Sequence, residues 1–152
     1  MAITSLKNKV AVITGAGSGM GRALTELLAN SGCHLAICDV DGEDLKETQE
    51  LITADIRLSG SVVDVSDLQQ VEAFAERVIS EHGHVNLVFN NAGVSVTGLA
   101  EQMPLEDFQW LMNVNFWGVV YGCRAFLPYL RQVDEAAIIN TSSIFGTIAV
   151  PT

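Results

Sequence analysis

Short apolar runs alternate with stretches of helical period along this chain. Residues 10–13, Val-Ala-Val-Ile, read as a first strand, followed by a glycine-rich turn and a helix carrying Leu24, Leu27 and Leu28. Residues 34–38 form a second strand between Gly32 and Asp39. A weaker helix follows, with Leu45, Thr48 and Ile52 on one side and Glu43, Asp44, Glu47 and Glu50 solvated. Residues 61–63 read as a short third strand. In the next helix Val71, Phe74, Ala75, Val78 and Ile79 keep the i, i+3, i+4, i+7, i+8 rule. Ser66 and Gln69 have the spacing of a capping box at its start, and Gly83 stands at its C-cap. Residues 86–89 make a fourth strand. Pro104 opens a long helix to about residue 131, with Glu106 and Asp107 in its first turn. Residues 136–140 make a fifth strand.

Strands that are apolar throughout are covered on both faces, and alternation with helices implies right-handed crossovers. The pattern predicts one α/β domain over residues 1–152: a doubly wound Rossmann fold, with a parallel sheet of about five strands in the order 3-2-1-4-5 and helices on both faces. Composition fits a packed domain, at 49% hydrophobic and 17% charged residues. The formal net charge of −10 argues against nucleic acid and anionic membrane partners, which need a basic face. No apolar run approaches the roughly 20 residues of a spanning helix, and residues 1–9 show no signal peptide, so a cytoplasmic protein is expected. Cys33, Cys38 and Cys123 form no CxxC and no zinc spacing. They are expected to be free thiols, with Cys33 and Cys38 on opposite sides of the sheet, and no metal site is expected.

In such a sheet a ligand binds beyond the carboxyl ends of the strands, where strand order reverses. The loop there is Thr14-Gly15-Ala16-Gly17-Ser18-Gly19-Met20-Gly21. It follows a strand and opens a helix, so its backbone N–H groups and the helix N-terminus make an anion site. Asp39 ends the second strand 18 residues after Gly21 (39 − 21), where a carboxylate accepts hydrogen bonds from ribose hydroxyls and repels a 2′-phosphate. No Arg or Lys follows Asp39 closely, which favours NAD over NADP, and Asp41 is the better candidate for the next helix cap.

From residue 7 to residue 151 the chain resembles the short-chain dehydrogenase/reductase family. Thr14 to Gly21 matches its TGxxxGxG spacing, and Asp64-Val65 matches the pair that meets the adenine ring. Asn90-Asn91-Ala92-Gly93 matches its NNAG motif, which places Asn91 and Ala92 by the cofactor ribose and braces the sheet. Asn113-Val114-Asn115 resembles the segment of its active-site Asn, which falls on Asn115. Asn140-Thr141-Ser142-Ser143-Ile144-Phe145-Gly146 resembles the segment of its catalytic Ser, which falls on Ser143. The resemblance implies NAD-dependent hydride transfer to or from an alcohol or ketone, with Gly15, Gly17, Ser18, Gly19, Met20, Gly21, Asp39, Asp64, Val65, Asn91, Ala92 and Gly93 at the cofactor.

The residues themselves add to this picture. Phe108, Leu111, Asn115 and Val119 share a helical stripe, which turns Asn115 inward and obliges its amide to find partners. Ser142 and Ser143 follow a buried strand but form no GxSxG elbow, so acyl transfer is not expected. His82 and His84 flank Gly83 at a helix end, a place for cations rather than a metal. Trp110, Phe116, Trp117 and Phe126 read as packing or subunit contacts. The family's reaction needs a Tyr with a Lys four residues later. Tyr121 is followed at that spacing by Ala125, and Tyr129 by Val133. The chain resembles the N-terminal, cofactor-binding part of a longer enzyme and is expected to be inactive alone. A non-catalytic dinucleotide-binding or self-associating module is the alternative. The fifth strand is expected at a sheet edge and, with the long helix, to drive homo-oligomer formation.

Overall fold

β1 (Val10–Thr14) is buried at every position because both of its faces are covered. In the computed structural model, which describes residues 4–148, it lies at the centre of a five-stranded sheet. The elements follow as α1 (Gly19–Asn30), β2 (His34–Asp39), α2 (Gly42–Leu51), β3 (Leu58–Val62), α3 (Leu68–His82), β4 (Leu87–Asn90), α4 (Leu105–Met112), a π-helical turn (Asn113–Trp117), α5 (Gly118–Leu130), β5 (Ala137–Asn140) and a 3-10 turn (Ile144–Gly146). All strand pairs are parallel and the order is β3-β2-β1-β4-β5, as expected. Residue 151, where the family resemblance ends, lies outside the described residues.

Alternation along each strand divides the core in two. Val12, Ala36, Cys38 and Val88 face α3 and α5, whereas Ala11, Ile13, Leu35 and Ile37 face α1 and α2. Cys33 and Cys38 fall in the two different halves, both buried and unpaired. On the first side Phe126 is 1% exposed and meets Phe74 edge to face, with ring centroids 6.0 Å apart. At the amino end of the sheet the buried Asn86, which precedes β4 rather than opening it, accepts from Val10 N–H at 3.0 Å. It donates to the Glu135 carbonyl at 3.0 Å, joining β1 to the entry of β5.

Several local expectations change. α3 is capped by Asp67, not by a Ser66–Gln69 box. Asp67 Oδ1 accepts from the N–H of Gln69 at 2.9 Å and of Gln70 at 3.2 Å. Ser66 turns away and donates to Asp64 Oδ1 at 2.7 Å, because the carboxylate next to it is the better acceptor for the helix amides. Asp41 caps α2 as expected, and Gly83 ends α3 in the left-handed conformation. β3 begins at Leu58, with Val63 buried just beyond it. The long helix expected from Pro104 is broken into α4, the π-helical turn and α5. A π turn inserts one residue and rotates the following face. The stripe against the sheet is therefore Val114, Gly118, Gly122, Phe126 and Leu130, and Asn115 is exposed rather than turned inward.

His82 closes α3 inside the protein, 4% exposed. Its Nε2 pairs with Ser59 Oγ at 2.8 Å, and its Nδ1 has no partner among the described residues. Burial first, and then the Arg57 cation, hold its proton affinity below the ordinary imidazole range. The unfolded chain therefore binds the proton more readily, so this contribution to stability is complete at neutral pH. It is lost as pH falls through about 6.5, the unfolded value, toward the lowered one. Urea midpoints measured from pH 7.5 down to 5 are expected to fall, and His82→Gln to flatten that part of the profile.

Candidate functional site

The carboxyl ends of β1, β2 and β4 open into a cleft of about 380 Å3. Its first wall is the glycine loop, contributed by Gly15, Ser18, Gly19, Met20 and Gly21. Gly15 has φ +66°, and a Cβ there would meet the Ala92 Cα at 2.7 Å, so the loop can lie flat on the turn after β4 only without a side chain. Thr14 joins the two. Its Oγ1 accepts from the N–H groups of Asn91 and Ala92, each at 3.0 Å, and Asn91 Nδ2 donates to the Thr14 carbonyl at 3.0 Å.

α1 begins at this wall with no side-chain cap from Ser18 and no acidic residue in its first turn. Its leading N–H groups and the positive end of its dipole are therefore left for a ligand anion. A Cβ on Gly19 would stand in open space, with no protein atom within 4 Å. The donor set and the bare backbone fit a dinucleotide pyrophosphate.

Asp39, Val40, Val63, Asp64 and Val65 supply the second wall, and Asn91, Ala92 and Gly93 the third. Asp39 Oδ1 accepts from Asp41 N–H at 3.0 Å and Oδ2 from Gly17 N–H at 2.8 Å. Gly17 thus stands behind the cleft, against the carboxylate, and does not line it. The other eleven residues expected at a cofactor do line it. Among the described residues, none that lines the cleft is Lys or Arg. Arg22, from the first turn of α1, approaches from the rear of the loop, where its Nε donates to the Gly17 carbonyl.

Val94, Trp110 and Val114 complete the lining and had no local signal in the sequence. Trp110 read as packing because helical periodicity reports burial, not proximity to a cleft across the sheet. Phe126 alone of the four aromatics is buried. Phe116 meets Trp117 edge to face at 5.3 Å, and Trp117 stacks on Tyr121.

Neither Asn115 nor Ser143 lines the cleft. The Asn115 amide closes a two-way contact with the backbone of Val94. Its Oδ1 accepts from Val94 N–H and its Nδ2 donates to the Val94 carbonyl, both at 2.8 Å. The π turn brings that amide to the segment leaving β4. Ser143 is exposed after β5, and its Oγ accepts from Phe145 N–H at 3.2 Å. Among the described residues no cluster of three or more His, Cys, Asp or Glu could hold a metal ion, and no helix is long and apolar enough to cross a membrane.

A sequence profile described as short chain dehydrogenase matches residues 9–152. Over 150 residues the chain is 41% identical to a Mycobacterium tuberculosis protein named SadH, which covers 98% of this chain and 54% of that protein. A short chain dehydrogenase/reductase from Burkholderia phymatum in complex with NAD superposes with a TM-score of 0.94 at 41% identity, over 99% of this chain and 54% of that one. Carveol dehydrogenase from Mycobacterium avium in complex with NAD superposes with a TM-score of 0.90 at 28% identity, over 95% and 58%. The chain spans about half the length of the curated relatives it matches.

Proposed function

The chain belongs to the short chain dehydrogenase family, and from that premise we propose that its cleft holds NAD, in an oxidoreductase acting on an alcohol or carbonyl compound. Asp39 carries the cofactor reading: it ends β2, lines the cleft, and has no Lys or Arg beside it among the lining residues. Bound there, the nicotinamide supplies or accepts the hydride that interconverts carbonyl and alcohol. The leading N–H groups of α1, at Gly19, Met20 and Gly21, receive the pyrophosphate, with Gly15 and Ser18 beside them. Asp39 accepts from the adenosine ribose, where it repels a 2′-phosphate. Asp64 and Val65 flank the adenine, and Asn91, Ala92 and Gly93 the second ribose.

Ser143 is assigned the substrate oxygen. Its Oγ accepts one N–H and keeps its own proton free to donate. Asn115 braces Val94 and retains one N–H and one lone pair for a water. With neither tyrosine followed by a lysine four residues on, the 152 residues by themselves bind cofactor without turnover. A cytoplasmic location fits three free thiols, two of them buried.

Calorimetric titration tests the cofactor reading. NAD is expected to bind about tenfold or more tightly than NADP, as loss of a charged hydrogen bond implies. Asp39→Ala narrows the gap, and equal or tighter NADP binding sinks the assignment. The partner reading is a second copy of this chain. β5 is an edge strand with Ile139 36% exposed, and α4 with the π turn exposes Phe108, Trp110, Met112, Phe116 and Trp117. Light scattering at micromolar concentration should give a mass above the 16.3 kDa of one chain, and a stable monomer refutes it.

A further inference from the structure

Behind the cleft, five residues from α1, α2, β2 and the glycine loop make one relay of hydrogen bonds that runs through a shared peptide. Arg22, on α1, donates from Nε to Thr48 Oγ1 at 2.9 Å and to the Gly17 carbonyl at 2.9 Å. Thr48, on α2, is fully buried. Its hydroxyl has one proton to give, and the nearest acceptor is the Ala16 carbonyl at 3.0 Å, ahead of the Gly17 and Asp44 carbonyls, both at 3.2 Å. Because Arg22 occupies a lone pair of that hydroxyl, the proton is directed away from the guanidinium and toward the carbonyls. The Ala16–Gly17 peptide is planar and trans, so its C=O and N–H point in opposite directions. Fixing the carbonyl on Thr48 therefore aims the Gly17 N–H the other way, at Asp39 Oδ2, 2.8 Å distant.

We propose that Arg22 and Thr48 are positioning residues for dinucleotide selectivity, which hold the Asp39 carboxylate in the cleft through the Ala16–Gly17 peptide. This rests on the assignment of Asp39 to the adenosine ribose. A carboxylate on an exposed strand end samples several rotamers, whereas one held by an oriented amide presents its free lone pairs in one direction. The relay also explains why a cation so close does not invite a 2′-phosphate. Arg22 is spent on the Gly17 and Asp44 carbonyls and on Glu47, whose carboxylate lies 3.2 Å from Nη2, with the Asp44 carboxylate at 3.9 Å. Its charge is balanced on the side of the loop away from the ligand.

The test is the ratio of NAD to NADP affinity, measured by calorimetry on the 152-residue chain. Thr48→Val removes the relay's hydroxyl while keeping its shape, and Thr48→Ser keeps the hydroxyl. Arg22→Gln, at a half-buried position, serves should Thr48→Val fail to fold by circular dichroism. Thr48→Val or Arg22→Gln should bring a preference of about tenfold to within about threefold, by weakening NAD and sparing NADP, and Thr48→Ser should retain it. Folded Thr48→Val and Arg22→Gln proteins that keep the wild-type ratio, or that lose both dinucleotides equally, overturn the proposal and leave the NAD assignment standing. A wild-type chain without preference for NAD removes that assignment, and the relay's role falls with it.

Discussion

Gly21→Ala is expected to cost the chain its dinucleotide binding. A Cβ at residue 21 would stand 1.9 Å from the Gly15 carbonyl oxygen, 2.7 Å from its carbon and 2.8 Å from Asn91 Nδ2. The first two are backbone atoms of a loop already pressed against Ala92, so no side chain can swing aside to make room. Either α1 withdraws from the loop or the Gly15 peptide rotates out of the cleft wall. Overpacking of this kind costs about 1–3 kcal/mol, which corresponds to roughly 5- to 150-fold in binding if it falls on the bound geometry. Titration with NAD should show a loss near the upper end, because the displaced atoms belong to the ligand wall itself. Binding at wild-type strength would show that the loop is more yielding than its contacts indicate. The same clash lowers stability, so the urea midpoint is expected to fall with it.

Phe126→Ala should have the largest effect on folding and none that is specific to the ligand. The ring is 1% exposed, fills the half of the core between α5 and α3, and contacts Phe74 edge to face. Deleting such a ring costs about 3–5 kcal/mol in transfer and cavity terms. Against a typical total of about 5–15 kcal/mol, that can take a domain of this size close to unfolding at room temperature. Urea denaturation measures it directly, and a loss below about 1 kcal/mol would mean that α5 does not close the core as described. Phe116→Ala makes the informative contrast. Phe116 is 50% exposed, so its removal should leave the urea midpoint nearly unchanged and act on self-association instead.

How far these features were legible in the sequence follows from how local their causes are. The apolar runs of β1 and β2 and the helical period of α3 are properties of consecutive residues, and so are the Asp41 cap and the Gly83 C-cap. Each could be read without knowing what lies across the sheet. The order β3-β2-β1-β4-β5 followed as well, because right-handed crossovers leave few ways to arrange five parallel strands joined by helices. The glycine loop and Asp39 were legible as a pair because both sit at strand ends, and all parallel strands of one sheet end on the same side.

Other features were decided only by the folded geometry. Whether Ser66 or Asp67 caps α3 turns on competition between neighbouring oxygens for the same amides, and the spacing of both fits a cap. The π turn at Asn113–Trp117 appears where the Asn115 amide meets the backbone of Val94, a segment 21 residues earlier whose position depends on β4. That one extra residue moves Asn115 off the apolar stripe and puts Val114 on it, a shift that helical periodicity over residues 104–131 cannot register. Trp110 reaches the cleft from α4, and Thr48 reaches the Ala16 and Gly17 carbonyls only where α2 packs against the loop. Sequence by itself determined which segments become strands and helices, and on which edge of the sheet the cleft opens, because those depend on local period and chain connectivity. Tertiary structure alone decided which side chains share a hydrogen bond around that edge, because the geometry of a hydrogen bond is satisfied over about 3 Å and carries no memory of separation along the chain.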